Sequence, residues 1–141
     1  MTGRNYLKQA RTALSRVEML KEQINWLRED MQSVRSVVLE GAGVQSNAPH
    51  DQMARRVANI CDKIGERETQ IAYWENVLSS VETVINEVDD VVCCKILYAK
   101  YVRGLKICEI AEEMGYSKSY VYALHNKSVK EIIPNENIAK I

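Results

Sequence analysis

The stretch "IAEEMGYSKSYVYALHN", residues Ile110 to Asn126, predicts two short helices joined at a glycine. Gly115 can adopt the left-handed conformation that often ends a helix, because it has no Cβ. Ser117 is a favourable N-cap for the helix that follows. The apolar residues on either side recur at helical spacing, so each helix has one inner face. The predicted inner faces are Ile107, Ile110, Ala111 and Met114 before the glycine, and Val121, Leu124, Ser128 and Ile132 after it. We therefore predict a helix-turn-helix, and the alternative is an ordinary three-helix subdomain.

The outward face of the second helix carries Ser119, Tyr122, Ala123, Asn126 and Lys130. No acidic residue occurs between Ser117 and Lys130. A recognition helix lies in the major groove, where its outward side chains read base edges and neighbouring cations contact phosphates. Asn126 can pair with adenine, and Lys118, Lys127 and Lys130 suit phosphates. The alternative is a solvated polar face without a ligand, and His125 is predicted to pack at the edge of the buried side.

Upstream of this motif, apolar residues follow a heptad-like spacing over two long segments, about 5–39 and about 51–88. Each spacing predicts one long amphipathic helix. The first seam is Leu7, Ala10, Leu14, Val17, Leu20, Ile24, Leu27, Met31, Val34 and Val38. The second is Met53, Val57, Ile60, Ile64, Ile71, Trp74, Leu78, Val81, Ile85 and Val88, with Arg67 as its charged member. The segment "EGAGVQSNAPH" (40–50) separates them, and Asp51 is predicted to cap the second helix.

The predicted fold class is all-α, a long antiparallel helical hairpin followed by a C-terminal helix-turn-helix domain. A linker of 11 residues lets the two long helices fold back seam against seam. Trp26, Val37, Tyr73 and Val77 lie off the seams, so we expect a homo-oligomer, with a dimer favoured. The predicted domains are residues 1–88 for oligomerisation, residues 89–133 for the helix-turn-helix, and residues 134–141 as a tail.

Between the hairpin and the helix-turn-helix, "VVCCKILYAKYV" predicts a further helix. Asp89 or Asp90 can cap its start, and "RG" at residues 103–104 ends it. Its predicted inner face is Val92, Ile96, Leu97 and Tyr101.

The N-terminal segment is basic, with four basic residues and no acid between Met1 and Val17. In an antiparallel hairpin this segment lies beside the end of the second helix, which leads into the helix-turn-helix. We therefore expect Arg4, Lys8 and Arg11 near that motif. There they contact DNA phosphates or, alternatively, pair with Glu87, Asp89 and Asp90.

Composition argues against several other classes of protein. The 141 residues have a net charge of zero, and no segment approaches the roughly 20 apolar residues of a membrane span. The four cysteines include no C-x-x-C pair and there are two histidines, so we expect no metal site and no cofactor. Neither a catalytic cluster nor a glycine-rich phosphate loop is present in the sequence, and we expect no enzyme activity and no catalytic residue.

The stretch from Val91 to Ile132 resembles region 4 of sigma factors, in the run "ILYAKYVRGLKICEIAEEMGYSKSYVYALHNKSVKEI" (96–132). The whole layout is similar to small phage transcription regulators of the RinA and ArpU type, in which a helical N-terminal part precedes such a tail. The resemblance implies a cytoplasmic protein of a bacterial host that binds double-stranded DNA and controls transcription. Lys106 stands where Ser or Thr is common in such tails, and we expect it among the residues that contact DNA.

Three functions are consistent with these patterns. The leading one is a sequence-specific DNA-binding transcription regulator that acts as an oligomer. A DNA-packaging protein like a terminase small subunit also binds DNA, but its usual layout puts the helix-turn-helix before the oligomerisation helices. In the third, the helical hairpin binds RNA polymerase or another host protein, and the C-terminal module only docks.

Overall fold

The computed structural model of the protein describes residues 2–40 and 47–132, with side chains at 2–36 and 51–132. All regular secondary structure in these ranges is helical, which confirms the predicted all-α class. The helices are α1 (Gly3–Glu40), α2 (Asn47–Asn86), α3 (Val91–Leu97), a π-helical turn (Tyr98–Val102), α4 (Ile107–Met114) and α5 (Lys118–Glu131). Within the described ranges, no helix has the length and apolar character needed to cross a membrane.

The chain divides into two compact units, which we call the middle unit (Val17–Ala72) and the terminal unit (Met1–Arg16 with Tyr73–Ile141). In the middle unit, Arg67 Nε on α2 donates to Gln23 Oε1 on α1 at 3.1 Å. Further along, Arg56 Nη2 donates to Asp30 Oδ1 at 3.2 Å. A residue further along α1 therefore contacts a residue earlier in α2, which means that the two helices run antiparallel here.

The same direction holds in the terminal unit. The Tyr6 and Ser80 hydroxyls share a hydrogen bond, and the Arg16 guanidinium lies 6.0 Å from the centroid of the Trp74 ring. The pairing in both units is consistent with the predicted helical hairpin. Residues of both predicted seams are buried, namely Leu7, Ala10, Leu20, Ile24, Val34, Ile60, Val81 and Ile85.

The predicted start of the second long helix is wrong. α2 begins at Asn47, so Asp51 lies inside the helix and is not its N-cap. Pro49 is compatible with this earlier start, because the first N–H groups of a helix have no intrahelical acceptor. α2 also ends at Asn86, two residues before the predicted end. Residues 41–46 of the predicted interruption, the predicted tail 134–141 and the side chains of Val37 and Val38 lie outside the described part of the chain.

The core of the terminal unit joins the start of α1 and the end of α2 to the C-terminal helices. It contains Tyr6, Leu7, Ala10, Val81, Val84, Ile85, Leu97, Tyr101, Val129 and Ile132. A second cluster holds α3, the π-helical turn, α4 and α5 together through Ile96, Ala99, Ile110, Ala111 and Val121. The C-terminal helices are thus packed on the first turns of α1 as well as on one another.

The local signals around α3 act as predicted. Asp90 is the N-cap, and its Oδ1 accepts from the N–H groups of Val92 at 2.9 Å and Cys93 at 3.3 Å. The helix widens into the π-helical turn, whose C-cap Arg103 donates its N–H to the Tyr98 carbonyl at 3.1 Å. Gly104 follows with φ of +76°, a left-handed conformation that ends the helical run.

The junction between α4 and α5 also matches the sequence. Gly115 has φ of +74°, and its neighbour Tyr116 donates its N–H to the Ala111 carbonyl at 3.0 Å, which closes the end of α4. Ser117 caps α5, because its Oγ accepts from the Tyr120 N–H at 3.2 Å. Two helices and their short turn therefore have the predicted layout, while their use as a DNA-binding motif stays a prediction.

Replacing Gly3 with alanine should weaken the contact between the start of α1 and the end of α5. A Cβ at this position would lie 2.6 Å from the Val129 carbonyl oxygen and 3.0 Å from that of Ile132. Backbone atoms cannot rotate away as a side chain can, so we expect Gly3→Ala to lower the free energy of unfolding by about 1–3 kcal/mol. Urea denaturation followed by circular dichroism measures this change.

Gly65 provides the matched control. It lies in the interior of α2, and a Cβ there would have no neighbour within 4 Å. We expect Gly65→Ala to raise the free energy of unfolding by about 0.5–1 kcal/mol, because alanine has the higher helix propensity. Equal and favourable effects at both glycines would contradict the close approach at Gly3.

Candidate nucleic-acid interface

The predicted outward face of α5 is at the surface of the helix. Lys118, Ser119, Tyr122, Ala123, Lys127 and Lys130 are exposed, and Asn126 is half-buried. Tyr122 is 57% exposed, the largest fraction among the tyrosines that are exposed in the described ranges. The opposite face is closed by Val121 and Ser128, which are buried against the rest of the terminal unit. One face of α5 is therefore packed against the terminal unit, and the opposite face is exposed to solvent.

Lys106 lies at the start of α4. It is exposed and occupies the N-cap position, where its side chain makes no capping hydrogen bond. A lysine side chain has no acceptor for the free N–H groups of the first turn. The missing capping hydrogen bond is therefore expected where Lys106 replaces the usual Ser or Thr. Its ammonium group is free to project from the surface at this end of α4.

The basic start of α1 lies next to the C-terminal helices, as the hairpin topology predicts. Arg4 Nη2 donates to Asn126 Oδ1 at 3.3 Å, across 122 positions of sequence. Arg11 Nη1 donates to the Val102 carbonyl at 3.4 Å, with its guanidinium against Gly104. Lys8 is exposed on the same helix. Two of the three predicted basic residues thus contact the segment from the π-helical turn to α5.

The alternative pairing of these residues with acids is not formed. Four ion pairs occur among the described side chains, and none of them includes Arg4, Lys8 or Arg11. On the C-terminal helices, the one such pair joins Arg103 Nη1 to Glu113 at 3.1 Å. Within the described residues, then, the positive charge at the start of α1 is not neutralised by Glu87, Asp89 or Asp90.

Behind the exposed face, a polar network leads from the core to Asn126. His125 Nε2 lies 2.8 Å from the Tyr101 hydroxyl, and His125 Nδ1 lies 3.2 Å from Asn126 Oδ1. Both rings are buried, each with 3% of its surface exposed, and they stack with centroids 5.6 Å apart. Together with the bond from Arg4, these contacts connect α1, the π-helical turn and α5.

Burial determines the protonation of this network. It raises the pKa of Tyr101, against a smaller opposing effect of the Arg4 charge. It lowers the pKa of His125, an effect that the Lys100 and Arg4 charges reinforce and the Asn126 hydrogen bond opposes. At neutral pH the tyrosine therefore keeps its proton and the imidazole is neutral, because the charged form of each is disfavoured away from water.

The sequence pattern predicted where Tyr101 and His125 lie, but not the hydrogen bond between them. Tyr101 was expected on an inner face and His125 at the edge of the buried side, and both residues are buried. The missing signal was the tyrosine hydroxyl itself, since a buried O–H almost always has a partner. Tyr116 and Tyr120 are 41% and 49% exposed, and their rings contact each other edge to face with centroids 5.2 Å apart.

In the described part of the chain, the His, Cys, Asp and Glu side chains form no group of three or more that could hold a metal ion. The four cysteines are all unpaired thiols, with Cys93 buried and Cys61 and Cys108 exposed. The side chains of the candidate site are lysine ammonium, amide and hydroxyl groups, together with the Ala123 methyl.

The buried His125 should make stability fall with acid. Its pKa is lowered in the folded chain, so between that value and about 6.5 the unfolded chain binds more protons and stability decreases as pH falls. Above pH 7 this contribution is fully present. One such group gives at most about 1.4 kcal/mol per pH unit.

Urea denaturation at pH 7.5, 6.5 and 5.5 measures this dependence. We expect His125→Gln to be less stable than the wild type at pH 7.5 but to lose less stability on acidification. An unchanged difference between the two proteins across this range would contradict a buried neutral imidazole.

No protein-family model, curated protein or solved structure matches this chain. The resemblance to region 4 of sigma factors therefore rests only on the residues quoted from the sequence.

Proposed function

We propose that this chain is a sequence-specific DNA-binding protein that regulates transcription, with α5 as its recognition helix. The main support is the exposed face of α5, which begins at Lys118 after the Ser117 cap and has no acid before Glu131. The major groove of B-DNA, about 12 Å wide, admits one α-helix. An acid-free helix face that is anchored from behind meets the steric and electrostatic requirements of that groove.

The residues of this face divide by chemistry into two roles. Ser119, Tyr122 and Asn126 carry hydrogen-bonding groups for base edges, and the Ala123 methyl suits apolar contact with a thymine methyl. Lys118, Lys127 and Lys130 supply charge for the phosphates on either side of the groove. In the proposed motif α4 is the first helix, which crosses the DNA backbone, so Lys106 at its start would lie close to a phosphate.

The start of α1 extends this basic surface. The chain as a whole has no net charge, so affinity for DNA depends on where the cations lie. Arg4 contacts Asn126 on α5, and Arg11 contacts the π-helical turn that precedes α4. Arginines at these positions can bind phosphates that flank the groove, which fixes the register of the helix without reading sequence.

Exposed aromatic surface on the long helices supports a homo-oligomer. Trp26 in the middle unit is 63% exposed, although tryptophan has a large apolar ring. A second copy packed against this part of α1 would remove the ring from water. In a dimer, two α5 helices would read half-sites one helical turn apart, about 34 Å.

Trp26 also supports a second candidate function. Exposed tryptophan is enriched at the centre of protein interfaces, so the same surface suits RNA polymerase or another host protein. In that case the long helices would make the main contact and the C-terminal helices would serve for docking.

Genomic selection separates the two functions. The full-length protein is incubated with fragments of the genome that encodes it, and bound fragments are sequenced and footprinted; RNA polymerase is tested in a parallel pull-down. Protection of a defined sequence is the expected result. Retention of polymerase without any preference among fragments would favour the second candidate.

Replacing Asn126 with alanine should affect specific binding alone. If its amide contacts a base, the loss on the selected site should be about 1–3 kcal/mol, with little change on random DNA. Fluorescence anisotropy with both duplexes measures it. Asn86→Ala, at the exposed end of α2, removes the same group elsewhere and should change neither affinity. Equal losses on both duplexes would reassign Asn126 to the DNA backbone.

Replacing Arg4, Lys8 and Arg11 together with glutamine should weaken binding to all DNA alike. Each lost phosphate contact flattens the slope of log affinity against log salt by about one unit. The two hydrogen bonds that these arginines make are exposed, so the melting temperature should change little.

A matched variant removes the same charge from the middle unit, with Lys21, Arg28 and Arg35 changed to glutamine. All three are exposed on α1, and this variant should keep the salt slope of the wild type. If the first variant keeps that slope while its melting temperature falls, the basic segment is structural and lies outside the DNA footprint.

A further inference from the structure

The contacts of Asn126 determine which of its two polar atoms is left for a ligand. An arginine only donates hydrogen bonds, so the atom 3.3 Å from Arg4 Nη2 is the carbonyl oxygen Oδ1. The same oxygen lies 3.2 Å from His125 Nδ1. Oδ1 is therefore engaged twice, while none of the hydrogen bonds described for this residue uses Nδ2.

The direction of every bond in the network follows from this assignment. Since Oδ1 can only accept, His125 Nδ1 carries the proton and donates. In a neutral imidazole the other nitrogen is then an acceptor, so Nε2 accepts from the Tyr101 hydroxyl at 2.8 Å. The Tyr101 hydroxyl thus donates to His125 Nε2, and both His125 Nδ1 and Arg4 donate to Asn126 Oδ1. Each donor in the network therefore has an acceptor.

We propose that Asn126 presents its amide Nδ2 hydrogens to DNA and reads guanine, with Tyr101 and His125 as positioning residues. This inference rests on the proposed function of α5. In the major groove, guanine offers two acceptors, N7 and O6, whereas adenine offers one acceptor and one donor. Adenine needs Oδ1 to face the base as an acceptor, whereas the hydrogen bond from the buried His125 holds that oxygen toward the inner side of α5. The donor-only amide matches guanine.

The arrangement survives a change in one of its partners. When Arg4 turns toward a phosphate, the hydrogen bond from His125 Nδ1 to Oδ1 is kept. His125 itself is buried and stays hydrogen-bonded to the Tyr101 hydroxyl. The exposed part of Asn126 shares its helix face with Tyr122 and Lys130, one turn away on each side, and both are exposed. The outward direction of Nδ2 is thus set from inside the protein, before any DNA is bound.

The tautomer of His125 in the free protein tests the network without DNA. Nitrogen NMR of the full chain labelled at histidine is expected to show the proton on Nδ1 at pH 7.5, and Asn126→Ala should increase the share of the Nε2–H form. A wild-type imidazole with its proton on Nε2 would overturn the proposal, because Oδ1 would then lack its inner donor.

Base preference tests the reading itself. Selection from a random duplex pool with the wild type and with Asn126→Ala identifies the base pair whose preference depends on Asn126. A G·C pair is expected, and 7-deazaguanine, which lacks the N7 acceptor, should lower wild-type affinity about tenfold and leave that of Asn126→Ala unchanged. An A·T pair would overturn guanine reading while leaving the proposed function intact. Absence of any selected sequence would overturn both.

Two further variants distinguish the loss of the Asn126 amide hydrogens from a general disturbance of the structure. Asn126→Asp keeps the acceptors for Arg4 and His125 but has no amide hydrogens, so the ratio of affinities for selected and random DNA should fall as far as in Asn126→Ala. Tyr101→Phe should reduce the preference at that base pair and leave affinity for random DNA unchanged. Tyr98→Phe removes a hydroxyl from an exposed tyrosine outside the network and should keep the wild-type preference. Full preference in Tyr101→Phe would overturn its positioning role.

Discussion

The packing of the first turn of α1 against the end of α5 is the contact on which the terminal unit depends. It brings Tyr6 and Leu7 into one core with Val129 and Ile132, although these residues are at opposite ends of the chain. Gly3 permits the approach, because any side chain there would meet the carbonyl oxygens of Val129 and Ile132 at the end of α5. Without this contact α5 would lose part of its inner face, and the orientation of its outer face would no longer be defined.

The polar network extends that contact from the core to the surface. Burying Tyr101 and His125 removes both from water, which costs free energy unless each polar atom finds a partner. No buried side-chain N or O atom among the described residues lacks one. The hydrogen bonds that satisfy this requirement also orient Asn126, so the same interactions that stabilise the unit define the chemistry of its exposed face.

Charge is distributed unevenly over a chain that is neutral overall. α4 carries Glu109, Glu112 and Glu113 on its exposed face, with Glu113 paired to Arg103. α5 has lysines and no acid before its last residue, and the start of α1 adds Arg4 beside α5 and Arg11 beside the π-helical turn. Such an arrangement favours a single orientation toward an anionic surface, since the acidic side of α4 would be repelled from it.

Much of the local structure could be predicted from the sequence, because it depends on neighbours within a few positions. The spacing of apolar residues predicted α1, α2 and their seams, Asp90 and Ser117 acted as caps, and Gly115 took the left-handed conformation. These outcomes depend on backbone hydrogen bonding and side-chain periodicity within one helix. The outward residues of α5 were also predicted, since helical spacing determines which side chains share a face.

Only the tertiary structure decided which distant groups meet. The early start of α2 removed Asp51 from the cap position, Val77 is buried although it lies off the seam, and the Tyr101 hydroxyl found His125. The sequence placed Arg4 near the C-terminal helices but could not show that it reaches Asn126 Oδ1. Such contacts depend on how whole helices pack, and the periodicity of a single helix carries no information on which atom of a remote side chain it will face.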